Sequence, residues 1–324
     1  MYCNRLNTHL SFFPNKINAC CSWSQGPIYI ENPSEKELFD VDKICELKEK
    51  FISELKNNKI LECCSNCTEL QNGEYSESYK IKKITFNHFT HCNCKCIYCS
   101  RLCSYQRNFT EVKRKSEYYN VLPLIKILYE KNLISPEQTD IEFQGGDCTV
   151  LDEFENIVNF ILQNPSKETF FTFTTNNIIY QPIIEKCFNL NKATLITSLD
   201  SGCAETFKKI KRVDKFDDCI NNLKKYREKT NTKQLFIKYI VVKNINDNIN
   251  ELQKFLDIMK DVGVGFISFD IDFNDILINK GRKFIIPPHY YKMKELTETF
   301  CSQNEINFVL NDYTKLIMEK GFFE

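Results

Sequence analysis

Three cysteines, Cys92, Cys96 and Cys99, stand in a C-x3-C-x2-C spacing just after a short apolar and β-branched run, Ile81 to Phe86. Thiolates are soft ligands, so three on one loop suit an iron-sulfur cluster and leave its fourth iron without a protein ligand. Together with Cys64 and Cys67 they also suit a tetrahedral zinc, the metal of paired C-x2-C knuckles. Three later loops carry polar groups of another kind: Gly145-Gly146-Asp147, Thr175-Asn176-Asn177 and Ser198-Leu199-Asp200. Singly, each reads as a turn or cap, in which glycine allows close approach and Asp, Ser or Asn holds a helix start. Cys148 and Cys203 adjoin these loops and are candidate hydrogen-atom donors, against a plainer reading as small buried cysteines.

The elements that must position these groups are legible as alternating runs. Candidate strands are Ile81 to Phe86, Ile141 to Gln144, Phe170 to Thr174, Thr194 to Leu199, Leu235 to Val242 and Phe266 to Ile271. Amphipathic stretches near Tyr119 to Tyr129, Leu151 to Leu162, Gln181 to Phe188, Phe216 to Glu228 and Ile249 to Asp261 separate them. Strand-helix alternation of this kind predicts an α/β fold, a partial (β/α)6 TIM-like barrel. Its chemistry sits at the C-terminal ends of the strands, where the cysteine triad and the three polar loops fall. Lys238 and Tyr239 on the fifth strand are candidates for substrate or cofactor contact, depending on which of them faces inward.

The triad and the ordered loops behind it closely resemble the radical S-adenosylmethionine (SAM) superfamily. The resemblance covers roughly residues 80 to 270. It implies a four-iron cluster on Cys92, Cys96 and Cys99, chelated at its open iron by SAM, with Tyr98 against the adenine. Gly145, Gly146 and Asp147 resemble the family's Gly-Gly-Glu contact to the SAM ammonium group, with a shorter acid here. Thr175 and Asn176 resemble its Thr-Asn-Gly stretch, and Ser198 and Asp200 its Ser-x-Asp-Gly stretch near the ribose and methionine. The implied activity is reductive cleavage of SAM to a 5′-deoxyadenosyl radical, which abstracts hydrogen from a small-molecule, carbohydrate or peptide substrate. Net oxidation, cross-linking or epimerisation would follow, with an electron donor such as flavodoxin or ferredoxin.

Residues 1–78 are rich in cysteine around a charged helix near Glu35 to Lys56 and read as a small metal-stapled domain. They resemble the SPASM auxiliary-cluster segment, placed before the barrel instead of after it. That likeness implies a second four-iron cluster on Cys3, Cys20, Cys64 and Cys67, with Cys21 and Cys63 as substitutes. A structural zinc is the other reading of the same ligands. The barrel is expected over residues 79–274, and a closing segment over 275–324, including a Pro288 to Phe300 helix and an apolar Phe308 to Leu310 run. Cys94 and Cys103 do not match the triad spacing and are set aside.

The 17 cysteines in 324 residues are read as metal ligands and reactive thiols of a reducing compartment. With 43 basic and 43 acidic residues, no net field steers the chain to nucleic acid or an anionic membrane. No apolar run reaches spanning length and no secretory signal opens the sequence, so a cytoplasmic location is expected. The rival to an enzyme is a zinc-stapled binding or regulatory protein, for which the glycine and asparagine loops would be coincidence.

Overall fold

A computed structural model describes residues 1–14, 16–19, 28–31, 40–65, 67, 70–75, 80–99, 119–230, 234–272 and 286–320. Cys20, Cys21, Cys103 and the start of the expected Glu35 to Lys56 helix lie outside the described residues, as does the side chain of Cys63. The chain divides into two compact units, residues 1–91 with 115–172, and residues 92–114 with 173–324.

The first unit contains β1 (Tyr2–Cys3), β2 (His9–Phe13), β3 (Lys16–Asn18), β4 (Ile28–Glu31), β5 (Leu70–Gln71), β6 (Lys83–Phe86) and β7 (Gln138–Phe143). β6 pairs in parallel with β7 on one side and with β2 on the other. β2, β3 and β4 continue as an antiparallel meander, so the first thirty residues extend this unit's sheet. Separately, β1 and β5 pair antiparallel, setting Cys3 opposite Leu70. The core forms where Phe86 and Phe143 stack at 4.7 Å and Phe154, on the helix Phe154–Gln163, meets Phe143 edge-on at 5.0 Å.

β8 (Glu168–Thr174) runs from the first unit into the second. The second unit adds β9 (Ala193–Ser198), β10 (Leu235–Val241), β11 (Phe266–Ile271) and β12 (Asn307–Leu310), all parallel and in that order. Period-two patterning is clear on β10, where Leu235, Ile237, Tyr239 and Val241 are buried while Phe236, Lys238 and Ile240 are half-buried on the other face. Both units are thus of the α/β class, with the parallel strands that a partial (β/α)6 TIM-like barrel requires. The helix Ile249–Val262 starts where Asn248 Oδ1 accepts from the Glu251 backbone and stops at Gly263, whose φ of +75° favours glycine. Helix Leu122–Glu130 begins three residues later than expected, with Asn120 Oδ1 accepting from the Leu122 backbone. Among the described residues no helix is long and apolar enough to cross a membrane.

Lys48, on the helix Val41–Lys56, is 3% exposed. Burial lowers its pKa to about 7 from an ordinary 10.5, against a smaller opposite effect of Cys45. Between those two values the unfolded chain holds a proton that the folded chain sheds, so this group makes stability rise with pH across that window. Lys48→Met is therefore expected to raise the melting temperature by several degrees at pH 7, with the gain shrinking as pH approaches 10. Parallel melting curves for the two proteins over that range would contradict this account.

Candidate active site

In the first unit, the loop after β7 lies along the loop after β6. Gln144 N bonds Phe86 O at 2.8 Å, Gly146 N bonds Phe89 O at 3.1 Å and Asp147 N bonds His91 O at 2.6 Å. Gly145 has φ +136°, and a Cβ on Gly146 would stand 1.7 Å from His91 O. Both glycines are therefore dictated by backbone. Asp147 is fully buried, and its Oδ1 accepts from the Thr149 backbone at 2.9 Å and the Thr149 hydroxyl at 2.5 Å. This capping drives a 3-10 turn at Cys148–Val150, which is why the helix expected from Leu151 starts only at Phe154. Burial, then the Asp147 carboxylate, pushes the Cys148 thiol well up, so it stays protonated. His88 and Glu153 bond at 3.1 Å beneath these loops, with burial lowering the imidazole pKa against the opposing pull of Glu153.

Gly146→Ala is expected to displace the loop, lowering the melting temperature by roughly 5 °C or more, since a forced core clash costs ~1–3 kcal/mol and each kcal/mol shifts a domain of this size a few degrees. A variant melting with the wild type would show that the loop yields freely.

The second unit holds the cysteine loop. Lys95 N bonds Lys211 O and Ile97 N bonds Ile210 O, both at 3.0 Å, which docks the loop on the last turn of the helix Ala204–Lys211. Cys99 N bonds Cys96 O at 3.1 Å. Asn176 Nδ2 donates to Cys92 Sγ at 3.5 Å and to Asn93 Oδ1, while its Oδ1 accepts from Ile178 N at 3.0 Å. Thr175 Oγ1 accepts from Asn177 N, and Asn177 sits at φ +60°. Cys94, set aside on spacing, is 1% exposed and its thiol bonds to both Cys92 and Cys96. Those bonds push Cys94 up and hold it as a thiol. The Cys94 bond is also the largest influence lowering the Cys96 pKa, with the Lys211 ammonium helping and burial opposing.

Tyr98 does not stand alone as an aromatic face. Its hydroxyl donates to Asp200 Oδ2 and accepts from Lys211 Nζ, whose ammonium lies 4.9 Å over the ring. Lys211 also bonds Asp200 Oδ2 at 2.5 Å, with both side chains buried. Burial alone would lower the Lys211 pKa, but Asp200 and Cys96 outweigh it and the net shift is upward. Burial, then Asp200, pushes the Tyr98 phenol well above its ordinary range. Asp200 itself sits at φ +61°, its Oδ1 accepting from Ile240 N and its carbonyl from Asn246 Nδ2, both at 2.8 Å. Lys211 escaped the sequence reading because it sits in a largely basic run, Lys208 to Arg212. Its signal was its place four residues after Phe207, on the buried stripe with Ile210.

Ser198 ends β9 half-buried, paired in register with Lys238. Cys203 Sγ lies 3.4 Å from Thr206 Oγ1 and 3.5 Å from Glu251 Oε2. Gly202 N bonds the same carboxylate at 2.7 Å. Among the amino-terminal cysteines, Cys3 and Cys64 are buried around Tyr75, whose hydroxyl accepts from Cys3 N at 2.9 Å. Burial first, with both cysteines adding, raises the Tyr75 pKa to about 12. Cys67 N bonds Cys64 O at 3.1 Å, and Leu70, opposite Cys3, bonds Cys67 O at 3.3 Å. Among the described residues no three Cys, His, Asp or Glu side chains meet at metal-ligating distance. The donor set still suits an iron-sulfur cluster: three thiols on one loop, one receiving the Asn176 amide and one held toward thiolate by Cys94 and Lys211.

Similarity to known proteins agrees with this chemistry. Residues 86–257, over half the chain, match the Radical SAM superfamily. A GTP 3′,8-cyclase of Petrotoga mobilis is 28% identical over 183 residues, 55% of this chain and 52% of that protein. A GTP 3′,8-cyclase of Clostridium botulinum is 24% identical over 210 residues, 63% of this chain and 59% of that protein. The chain thus spans little more than half the length of these relatives. Among solved structures, Streptococcus suis SuiB bound to precursor peptide SuiA aligns with a TM-score of 0.52 at 14% identity, over 87% of this chain and 66% of SuiB. The AdoMet-bound enzyme anSMEcpe gives 0.52 at 18% identity, over 74% of this chain and 67% of its own. The chain belongs to the radical SAM superfamily.

Proposed function

We propose that this radical SAM enzyme reductively cleaves S-adenosylmethionine and abstracts hydrogen from a small-molecule, carbohydrate or peptide substrate, with net oxidation, cross-linking or epimerisation as the outcome. The observation that carries this reading is the bonding of the triad loop, in which Asn176 donates to Cys92 while Cys94 and the Lys211 ammonium favour the ionised form of Cys96. When bound, a four-iron cluster and SAM supply the electron and the 5′-deoxyadenosyl radical.

The protein's part is to hold and orient. Cys92, Cys96 and Cys99 ligate the cluster, and Tyr98, Gly145, Gly146, Asp147, Thr175, Asn176, Ser198 and Asp200 contact SAM. Lys211 fixes Asp200 and Tyr98 and keeps positive charge beside Cys96. Cys148 and Cys203 are the candidate hydrogen donors, Cys148 being held as a thiol by its burial. Cys3, Cys20, Cys64 and Cys67, in a domain over residues 1–78, would hold a second cluster, and electron acceptance is the chemistry it would supply there. A flavodoxin or ferredoxin supplies the first electron.

The test is an iron, sulfide and zinc count on anaerobically reconstituted protein, with a dithionite-driven assay for 5′-deoxyadenosine. About eight irons with deoxyadenosine support both clusters. About four irons with one zinc keep the enzyme and make the amino-terminal metal structural. Zinc alone, without SAM cleavage, returns the binding-protein reading.

A further inference from the structure

The face of the second unit's sheet that carries Lys238 holds two opposite charges that the SAM chemistry does not use. β10 turns Tyr239 towards Phe255 on the helix Ile249–Val262, and so turns Lys238 to the opposite face. β11 sets Ser268 opposite Lys238 and Asp270 opposite Ile240. Lys238 and Asp270 are therefore diagonal neighbours, about 8 Å apart at their backbones by ordinary strand spacing and rise.

Asp270 is 7% exposed. Its Oδ2 accepts from the Ser268 hydroxyl at 3.0 Å, but its Oδ1 receives no hydrogen bond from any described residue. Burial pushes its carboxyl above the ordinary range and Asp200 adds to the rise, while Lys238, Ser268 and the Asn311 backbone pull the other way. The Lys238 ammonium makes no hydrogen bond or ion pair among the described residues. The two groups feel each other's charge without meeting. Buried polar atoms are nearly always satisfied, so an orphaned carboxylate oxygen on the same face as a cation unpaired among the described residues points to a partner beyond those residues.

We propose that Asp270, Ser268 and Lys238 recognise a zwitterionic α-amino acid as the substrate, its ammonium group on Asp270 Oδ1 and its carboxylate on Lys238. This rests on the radical SAM reading given above. In an α-amino acid the two charges share one carbon, a span that fits between diagonal neighbours once each end makes its hydrogen bond. A nucleotide sets a ribose between its base donors and its phosphates and overreaches the pair. The position also suits substrate: Asp270 lies near the C-terminal end of β11, and its cross-strand partner Ile240 donates its N–H to Asp200 at 2.8 Å.

The experiment uses cluster-loaded protein and a mixture of perdeuterated L-amino acids, with two readouts. Mass spectrometry of 5′-deoxyadenosine made with SAM and dithionite is expected to show deuterium taken from the mixture. Independently, the mixture is expected to raise the melting temperature of the wild type but not of Asp270→Asn or Lys238→Met, and the N-acetylated mixture is expected to raise neither. Undeuterated deoxyadenosine with an unmoved melting temperature overturns the amino-acid assignment and leaves SAM cleavage standing. Deuterium acquired only from perdeuterated nucleotides overturns it in favour of that class. A melting shift retained by both variants puts the ligand elsewhere and overturns the site. Cluster-loaded protein that makes no deoxyadenosine sinks the function, while the melting shift still judges the site.

Discussion

Replacing Cys92, Cys96 and Cys99 together with alanine is expected to bring 5′-deoxyadenosine down to the level of an enzyme-free control and to remove about four irons per chain. No other loop of the second unit offers three thiols. Cys94 and Cys103 remain in this variant, yet two thiolates are too few to hold a four-iron cluster. Any metal proposed on the amino-terminal cysteines should survive, because Cys3 is held by the Tyr75 hydroxyl and by the β1-β5 pairing of the first unit. SAM cleavage that persists in the triple variant would refute the assignment of the triad. Loss of all metal would instead point to a folding defect, which the melting curve of the same sample detects.

The second large effect is expected at Lys211. Lys211→Met strands the buried Asp200 carboxylate and removes a cation from beside Tyr98 and Cys96. Breaking one side of a buried ion pair costs about 3–5 kcal/mol, which lowers the melting temperature of a unit this size by roughly 10 °C. The double variant Asp200→Asn with Lys211→Met removes both charges and should recover part of that loss. Cys96 should also react more slowly with iodoacetamide near neutral pH in Lys211→Met, since its thiolate loses a favourable neighbour. A Lys211→Met protein that melts within about 2 °C of wild type would show that Asp200 finds solvent or another donor.

Much of the scaffold was legible because its signal is local. Phe266 to Ile271 is recognisable as a strand from its β-branched and aromatic run, and it forms with those bounds. The triad was legible for a similar reason, since ligand spacing within eight residues needs no knowledge of the fold. What escaped depends on partners distant in sequence. Nothing near His9 announces that β2 will lie parallel to β6, some seventy residues on. Phe308 to Leu310 reads only as an apolar run, and pairing with β11 makes Asn307–Leu310 a strand. Lys211 was hidden by a charge run that suggests solvent, and Cys94 by a spacing rule that ignores where a thiol points. Asp270 reads like any acid near a strand end, and only register makes Lys238 its diagonal neighbour. Asp147 carries a local role that no resemblance announces, its Oδ1 accepting from the Thr149 hydroxyl two residues on.

The backbone bonds from Lys95 and Ile97 to the Lys211 and Ile210 carbonyls tie two segments more than a hundred residues apart. The last carbonyls of a helix have no partners of their own, and here the cysteine loop supplies two. Neither segment can open alone: lifting the loop bares the helix end, and fraying the helix frees the loop. In amide hydrogen exchange they therefore behave as one cooperative patch with a shared opening free energy. Whatever metal settles on the three thiols will slow exchange at Lys95 and Ile97 and equally along the final turn before Arg212, so a colourless stretch of helix becomes a gauge of how fully the loop is loaded.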